Sequence, residues 1–260
     1  MTGRLAAPYP PLFFPIAPWL DRLPGHPDAG AVARLAEGAG LATESGRPLR
    51  FVPPQDDGLG YEQRIWDKGE VETRPDNWHD FFNALVWLAF PQAKTALNFR
   101  HIREMAGVES GRGLARDAMT HFDECGLVVV SEDESLLELL RGFQWKTLFW
   151  ERRADVLKSM RFFIFGHATY EQLLEPFRGL TAKAVLYPVE AGWLARSLPE
   201  QLADLDGRLA VELAAGRYAS PRELQPVPLL GIPGVTTDNE SPDYYDDTWQ
   251  FRPGRRVAGV

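Results

Sequence analysis

Between residues 28 and 220 the apolar positions recur mainly at helical spacing, broken by short, continuous apolar runs. Asp28 to Ala39 predicts a short helix closed by Gly40, and Leu49 to Val52 a short strand. Asp76 or Asn77 caps a helix running to about Ala89, which Pro91 ends or kinks, and a second helix follows from about Gln92 to Met105. A third, Gly113 to Glu124, puts Leu114, Ala118 and Phe122 on one stripe; Cys125-Gly126 ends it before LVVVS, the pattern of a buried strand. Ser131 with Glu134 fits a capping box for SLLELL. Phe143 to Ser159 predicts one helix, Arg161 to Phe165 a strand, Ala168 to Leu174 a helix and Ala184 to Tyr187 a further strand. Ser197 with Glu200 caps a long helix to about Ala215. The expected class is α+β, a helix-rich single domain around a small sheet.

The two ends are different in kind. Residues 1–27 interleave Pro8, Pro10, Pro11, Pro15, Pro18, Pro24 and Pro27 with Phe13, Phe14 and Trp19, the composition of an extended arm whose aromatics dock on the core or meet a partner. Residues 221–260 have the same character and are expected to wrap the core surface, which leaves 28–220 as the core domain.

Composition narrows the classes. A chain of 260 residues with 45% hydrophobic content can bury a large core, which excludes disorder throughout. A net charge of −8 repels phosphate backbones and anionic lipid, so nucleic acid is not an expected partner, and no apolar run reaches the roughly 18–20 residues of a membrane helix. Prolines break any signal-peptide core near the start. The lone Cys125 excludes an intrachain disulfide and an all-cysteine metal site, and it suits a reducing compartment; the expected location is the cytoplasm.

Familiar cofactor signatures are missing: no G-x-G-x-x-G, Walker A loop, H-E-x-x-H, G-x-S-x-G or EF-hand loop occurs. GVESGRG lacks the Walker lysine and reads as a loop. The chemistry-bearing residues cluster instead within Tyr61 to His101, where polar groups sit in strongly apolar, aromatic sequence. Buried polar groups need partners or shift their ionisation, so such a set is a hydrogen-bonded network or a site. His79 and Asn83 stand four apart on the first helix, with Asp80 near its N-terminus; Lys94, Asn98 and His101 line one face of the second at i, i+4, i+7. Packed as an antiparallel pair, the two stripes face a common cleft where Lys94 and the helix terminus hold a small anionic ligand; otherwise they are solvated faces. On the third helix Asp117, His121 and Glu124 share a face, with Asp123 beside it. Acids with an interleaved histidine suit a divalent metal or acid–base work, with Asp117, Asp123 and His79 as candidate ligands, although His121 fits a solvated face better. His167 follows a predicted strand through Gly166 and lies four before Glu171, a favoured position for functional groups.

Two charged runs have plainer readings. Arg141 to Arg161 carries six basic residues against two acidic ones, interleaved with Trp145, Phe149 and Trp150; this suits an amphipathic helix and, less well, a nucleic-acid surface. The acids Asp238, Glu240, Asp243, Asp246 and Asp247, with Asn239, match no calcium loop and read as a solvated turn.

The strings YEQRIWDKGEVETRPDNWHDFFNALVWLAFPQAKTALNFRH, RDAMTHFDECGLVVVSED, LFWERR, FGHATYE, GLTAKAV, PLLGIPG and YYDDTWQFRPGRR resemble the bacterial DUF3025 family over roughly residues 50 to 256. The resemblance implies a bacterial cytosolic protein and brings no activity with it. The family pattern covers the positions of His79, Asp80, Asn83, Lys94, Asn98, Asp117, Asp123, Glu124, Gly166, His167 and Glu171; His121 departs from it, an aliphatic residue being usual there. The expectation is a hydrolase-like cleft using these groups, with or without a metal. An HD phosphohydrolase needs an earlier histidine at modest separation, and only His26 precedes His79. The rival expectation is a noncatalytic scaffold or adaptor in which the polar cluster knits helices together, and the third is nucleic-acid binding through residues 141–161.

Overall fold

A computed structural model describes residues 5–106 and 113–254. In chain order its elements are α1 (Ala17–Leu20), α2 (Ala29–Glu37), β1 (Arg50–Val52), α3 (Tyr61–Lys68), β2 (Glu70–Glu72), α4 (Trp78–Ala89), α5 (Pro91–Ala106) and α6 (Leu114–Cys125). They continue with β3 (Gly126–Ser131), α7 (Glu134–Arg141), α8 (Arg153–Ser159), β4 (Met160–Ile164), α9 (His167–Gln172), β5 (Thr181–Pro188), α10 (Leu198–Ala214) and β6 (Gln225–Pro228). The fold is α+β, with a four-stranded sheet in the order β4-β3-β5-β6 and a parallel pair, β1-β2. β3 is buried along its whole length, antiparallel to β4 and parallel to β5, which explains its unbroken apolar run.

Local chemistry accounts for most boundaries. Asn77 accepts the Asp80 N–H and starts α4, while Ser197 and Glu200 close a capping box on α10. Pro91 separates two helices rather than kinking one: it begins α5, and the buried Asp206 of α10 accepts the first-turn N–H groups of Gln92 and Ala93, which lack intrahelical partners, at 3.1 and 2.7 Å. A buried α4 and a capped α5 therefore leave Phe90 at a sharp corner, with their polar stripes on the same side.

Several expectations need correction. Ser131 is the last residue of β3, its hydroxyl donating to the Asp133 and Ser159 carbonyls; Asp133 caps α7 instead. Phe143 to Ser159 is not one helix, because Thr147–Glu151 forms a π turn, closed by Arg152 N–H on the Thr147 carbonyl, before α8 begins. The helix α3 and strand β2 were absent from the sequence-based expectation. GVESGRG, 107–113, lies outside the described residues apart from Gly113, which precedes α6.

The tail does more than wrap. β6 pairs antiparallel with β5, and the acidic run reaches the basic one: Lys146 meets Asp246 at 2.7 Å and Arg153 meets Glu240, while Asp247 grips Arg178, beyond the basic run, with two bonds of 2.6 Å. Asp238, Glu240, Asp243 and Asp246 are exposed, as a solvated turn implies, yet Glu240, Asp246 and Asp247 also hold the tail down, and Asn239 is fully buried, donating to the Leu230 and Ile232 carbonyls. Arg152 is held by Asp133 and Asp155, so much of the basic surface is already paired. At the other end Phe13 packs edge-on against Phe82 of α4 and Tyr170 of α9, centroids 5.8 and 5.1 Å away. That contact ties the N-terminal arm to the two helices that carry His79 and His167.

Candidate functional site

Two glycines decide where His167 goes. Gly166 ends the turn after β4, and its N–H and that of Phe165 both donate to the Gly126 carbonyl at 2.9 Å. A Cβ on Gly166 would lie 2.3 Å from the Gly126 nitrogen and 2.4 Å from Cys125 Cα, so only glycine lets α9 begin against the end of α6. His167, the first residue of α9, is thereby set beside Glu124 in the last turn of α6. α4 packs alongside α9 and supplies His79.

The three side chains converge. His79 Nε2 and His167 Nε2 are 3.0 Å apart, and Glu124 Oε2 lies 3.9 and 3.6 Å from them respectively. Behind the pair, Glu171 Oε2 is 3.2 Å from His79 Nδ1, and Asp123 Oδ2 is 3.9 Å from His167 Nδ1. Burial pushes the His167 imidazole down to about 3, against the opposing pull of Asp123, so this ring is neutral at physiological pH and offers a lone pair. Burial also raises the Glu124 carboxyl, with the His79 charge opposing.

The other expected residues form a supporting chain. Asn83 donates to Tyr61 Oη at 2.7 Å and accepts from Lys94 Nζ at 2.9 Å; Lys94 in turn pairs with Asp123. Lys94 is 2% exposed and also sits over the Trp87 ring. Burial would raise the Asp123 carboxyl, but the Lys94 charge, then His167, outweigh it and hold it below the usual range. Asp80 is occupied differently, accepting three bonds of 2.7–2.8 Å from the Arg74 N–H and guanidinium. Asn98 donates to the Glu62 carbonyl and to Glu62 Oε2, at 3.0 and 2.6 Å, and His101 Nε2 lies 3.8 Å from Glu62 Oε1.

Beside this network lies a cleft of about 660 Å³ lined by α3, α4, α5, α6 and the start of α9, including Glu62, His79, His101, Arg116, Glu124 and His167. Asp117 does not line it. The cleft stripe of α6 is Arg116, Thr120, Asp123 and Glu124, so Asp117 and the exposed His121 fall to one side of the face that their spacing with Glu124 had suggested. Among the described residues the group with metal-holding geometry is His79, Glu124 and His167, all three among the expected site residues; Asp117 is outside it and Asp123 is spent on Lys94.

Glu62 escaped sequence reasoning because α3 did. Its signal was Tyr61 and Ile65 four apart, closed by Gly69 in the left-handed region, and the structure anchors this helix through Arg64, 1% exposed and paired with Asp57, Glu70 and Glu72. Burial lifts the Glu62 carboxyl to about 7, against the Asn98 bond and with help from the Asp123 charge. A carboxylate raised in the fold holds a proton that the unfolded chain has released, so this group favours folding below its unfolded value and ceases to between roughly pH 4.5 and 7. Glu62→Gln is therefore expected to stabilise the protein by roughly 1–3 kcal/mol at pH 8 and to flatten the pH dependence of stability across that window; urea melts at pH 5 and 8 check both.

Comparison with curated proteins and with solved structures finds no match. No helix among the described residues is long and apolar enough to cross a membrane. The sequence pattern of one family, described as Protein of unknown function (DUF3025), matches residues 49–255, a span that holds every residue of the His79, Glu124 and His167 cluster and its supporting network. The chain belongs to the DUF3025 family.

Proposed function

We propose that the protein is a metal-dependent hydrolase in which His79, His167 and Glu124 hold one divalent ion of the zinc type. The observation that carries this reading is the triangle of ligand atoms. With sides of 3.0, 3.6 and 3.9 Å, its centre is about 2.1 Å from all three atoms, the bond length of zinc to imidazole nitrogen or carboxylate oxygen. Glu171 on the far nitrogen of His79 supplies the carboxylate–histidine support that such ligands have. Three protein ligands facing a cleft leave a position for water, as in catalytic rather than structural sites.

The chemistry follows from that arrangement. An ion held there would lower the pKa of a bound water and polarise the carbonyl or phosphoryl oxygen of a substrate. Such an ion would supply the activated water for hydrolysis of one acyl or phosphoryl bond, and Glu62 would take a proton from that water and return it to the leaving group. Glu62, with a carboxyl near neutrality in the same cleft, is matched to both proton steps. Lys94, Asn83, Asp123 and Tyr61 position these groups, and for those four the scaffold role once set against catalysis is the better description.

Elemental analysis of purified protein tests the assignment. One zinc or similar ion per chain is expected in the wild type and none in Glu124→Gln or His79→Ala, while Glu171→Gln weakens retention about 10- to 100-fold against a chelator. The two-histidine, one-carboxylate set also holds iron in oxygenases, so stoichiometric iron redirects the assays to oxygen chemistry. No stoichiometric metal in any preparation overturns the reading.

A further inference from the structure

The cations of the cleft are unequally used. Arg74 is held by Asp80 through three hydrogen bonds, and Lys94, buried behind the lining, by Asn83 and Asp123. Arg116 also lines the cleft, yet among the described residues it has neither a hydrogen bond nor an ion pair from its guanidinium, and its Nε is shielded from solvent without an acceptor. A shielded charged donor left without an acceptor is costly, and it persists in sites where a ligand supplies the missing atom. The guanidinium fork fits an oxyanion of two or three oxygens in a plane.

Its position relative to the metal cluster is fixed by one helix. Arg116, Thr120 and Glu124 stand at i, i+4 and i+8 on the cleft side of α6, so Arg116 lies two turns, about 12 Å of helix, from the proposed ligand Glu124. At the cluster the lining carries Asp123 and Glu124, which disfavour an anion there unless a metal neutralises them, while Glu62, also in the lining, lies within reach of the Arg116 charge. The cleft is therefore polarised: one cationic end at Arg116, and an acidic end that becomes electrophilic on loading with metal.

We infer that Arg116 anchors an anionic group, a carboxylate or a phosphate, carried by the substrate some two helical turns from the bond that is hydrolysed. The inference rests on the metal-hydrolase reading for the second half of that statement; the anchor itself does not use the three ligand atoms. It makes Arg116 a specificity determinant and gives the substrate two chemically distinct ends, one fixed by charge and one presented to the ion.

Isothermal titration with inorganic phosphate and, separately, with glutarate tests it, on chelator-stripped and zinc-loaded protein. At least one of the anions is expected to bind the stripped wild type with one site per chain, and the preferred anion distinguishes phosphate from carboxylate substrates. Arg116→Gln is expected to weaken that binding 10- to 100-fold with zinc content unchanged, and Arg116→Lys, which keeps the charge and loses the fork, to fall between. Equal affinity in wild type and both variants, or no binding by the wild type in either form, overturns the anchor. Anion binding that depends on Arg116 in a protein that never takes up zinc keeps the anchor and rejects the metal, so the two failures are told apart. Arg116→Lys carries the comparison if Arg116→Gln fails to fold, which circular dichroism reports.

Discussion

Gly166→Ala is expected to cost about 4 kcal/mol or more, at the far end of what single substitutions do. The added methyl would meet the Gly126 nitrogen, Cys125 Cα and the Cys125 nitrogen at 2.3, 2.4 and 2.5 Å, all backbone atoms of a helix end joined to a central strand. None is the tip of a flexible side chain that can swing away, so relief requires α9 and the end of α6 to part. Parting them separates His167 from Glu124, whose atoms are 3.6 Å apart. On the proposed metal assignment, variant protein that survives the substitution should therefore lose the ion even where it keeps its fold. Urea denaturation reads the first effect and zinc content the second; a variant as stable as the wild type with full zinc would show that the Gly166–Gly126 approach is not what builds the site.

Asp123→Ala is expected to cost about 3–5 kcal/mol, because it strands the Lys94 ammonium, 2% exposed, without a counter-charge. The double variant Lys94→Met, Asp123→Leu should recover much of that loss, since removing both charges also removes the cost of burying them. The pH dependence has a definite sign. A carboxyl held below its ordinary value contributes stability that is complete above the ordinary carboxylate range and is lost as the pH falls through the depressed one. Acid melts of the double variant should accordingly lack the part of the low-pH decline that the wild type owes to Asp123. A double variant no more stable than Asp123→Ala would show that the Asn83, Lys94 and Asp123 chain acts as a unit that hydrophobic packing cannot replace.

The helices that frame the cleft were legible because their signals are local. Asn77 and the apolar run to Ala89 mark α4, Pro91 marks the start of α5, and Ser197 with Glu200 marks α10. The continuous run LVVVS declared β3 for the same reason. What stayed hidden depends on partners distant in sequence. α3 is short and mostly polar, and it is fixed by Arg64 reaching Asp57, Glu70 and Glu72, so its own residues advertise little. The π turn at Thr147–Glu151 breaks a pattern that reads as one helix. The polar stripes of α4 and α5 were visible, but spacing alone does not say that His79 turns to His167, 88 residues away, while Asn83 turns to Lys94. Face assignment on α6 failed by about one position, enough to exchange Asp117 for Arg116 and Thr120 as cleft residues. The acidic tail was legible as an exposed turn, but its pairing was not, because its partners, Lys146, Arg153 and Arg178, lie on other elements.

The strand that the tail contributes also bears on how one edge of this protein meets copies of itself. Leu229 donates its N–H inward to the Leu180 carbonyl, and the alternation of a strand then aims the backbone nitrogens of Pro226 and Pro228 outward. Neither nitrogen carries a hydrogen, so a fifth strand arriving at that side finds carbonyls but no donors from those residues. The sheet is closed to growth along β6 by covalent structure rather than by charge, and salt, which screens repulsion among acidic chains, leaves that protection against fibrous self-association in place.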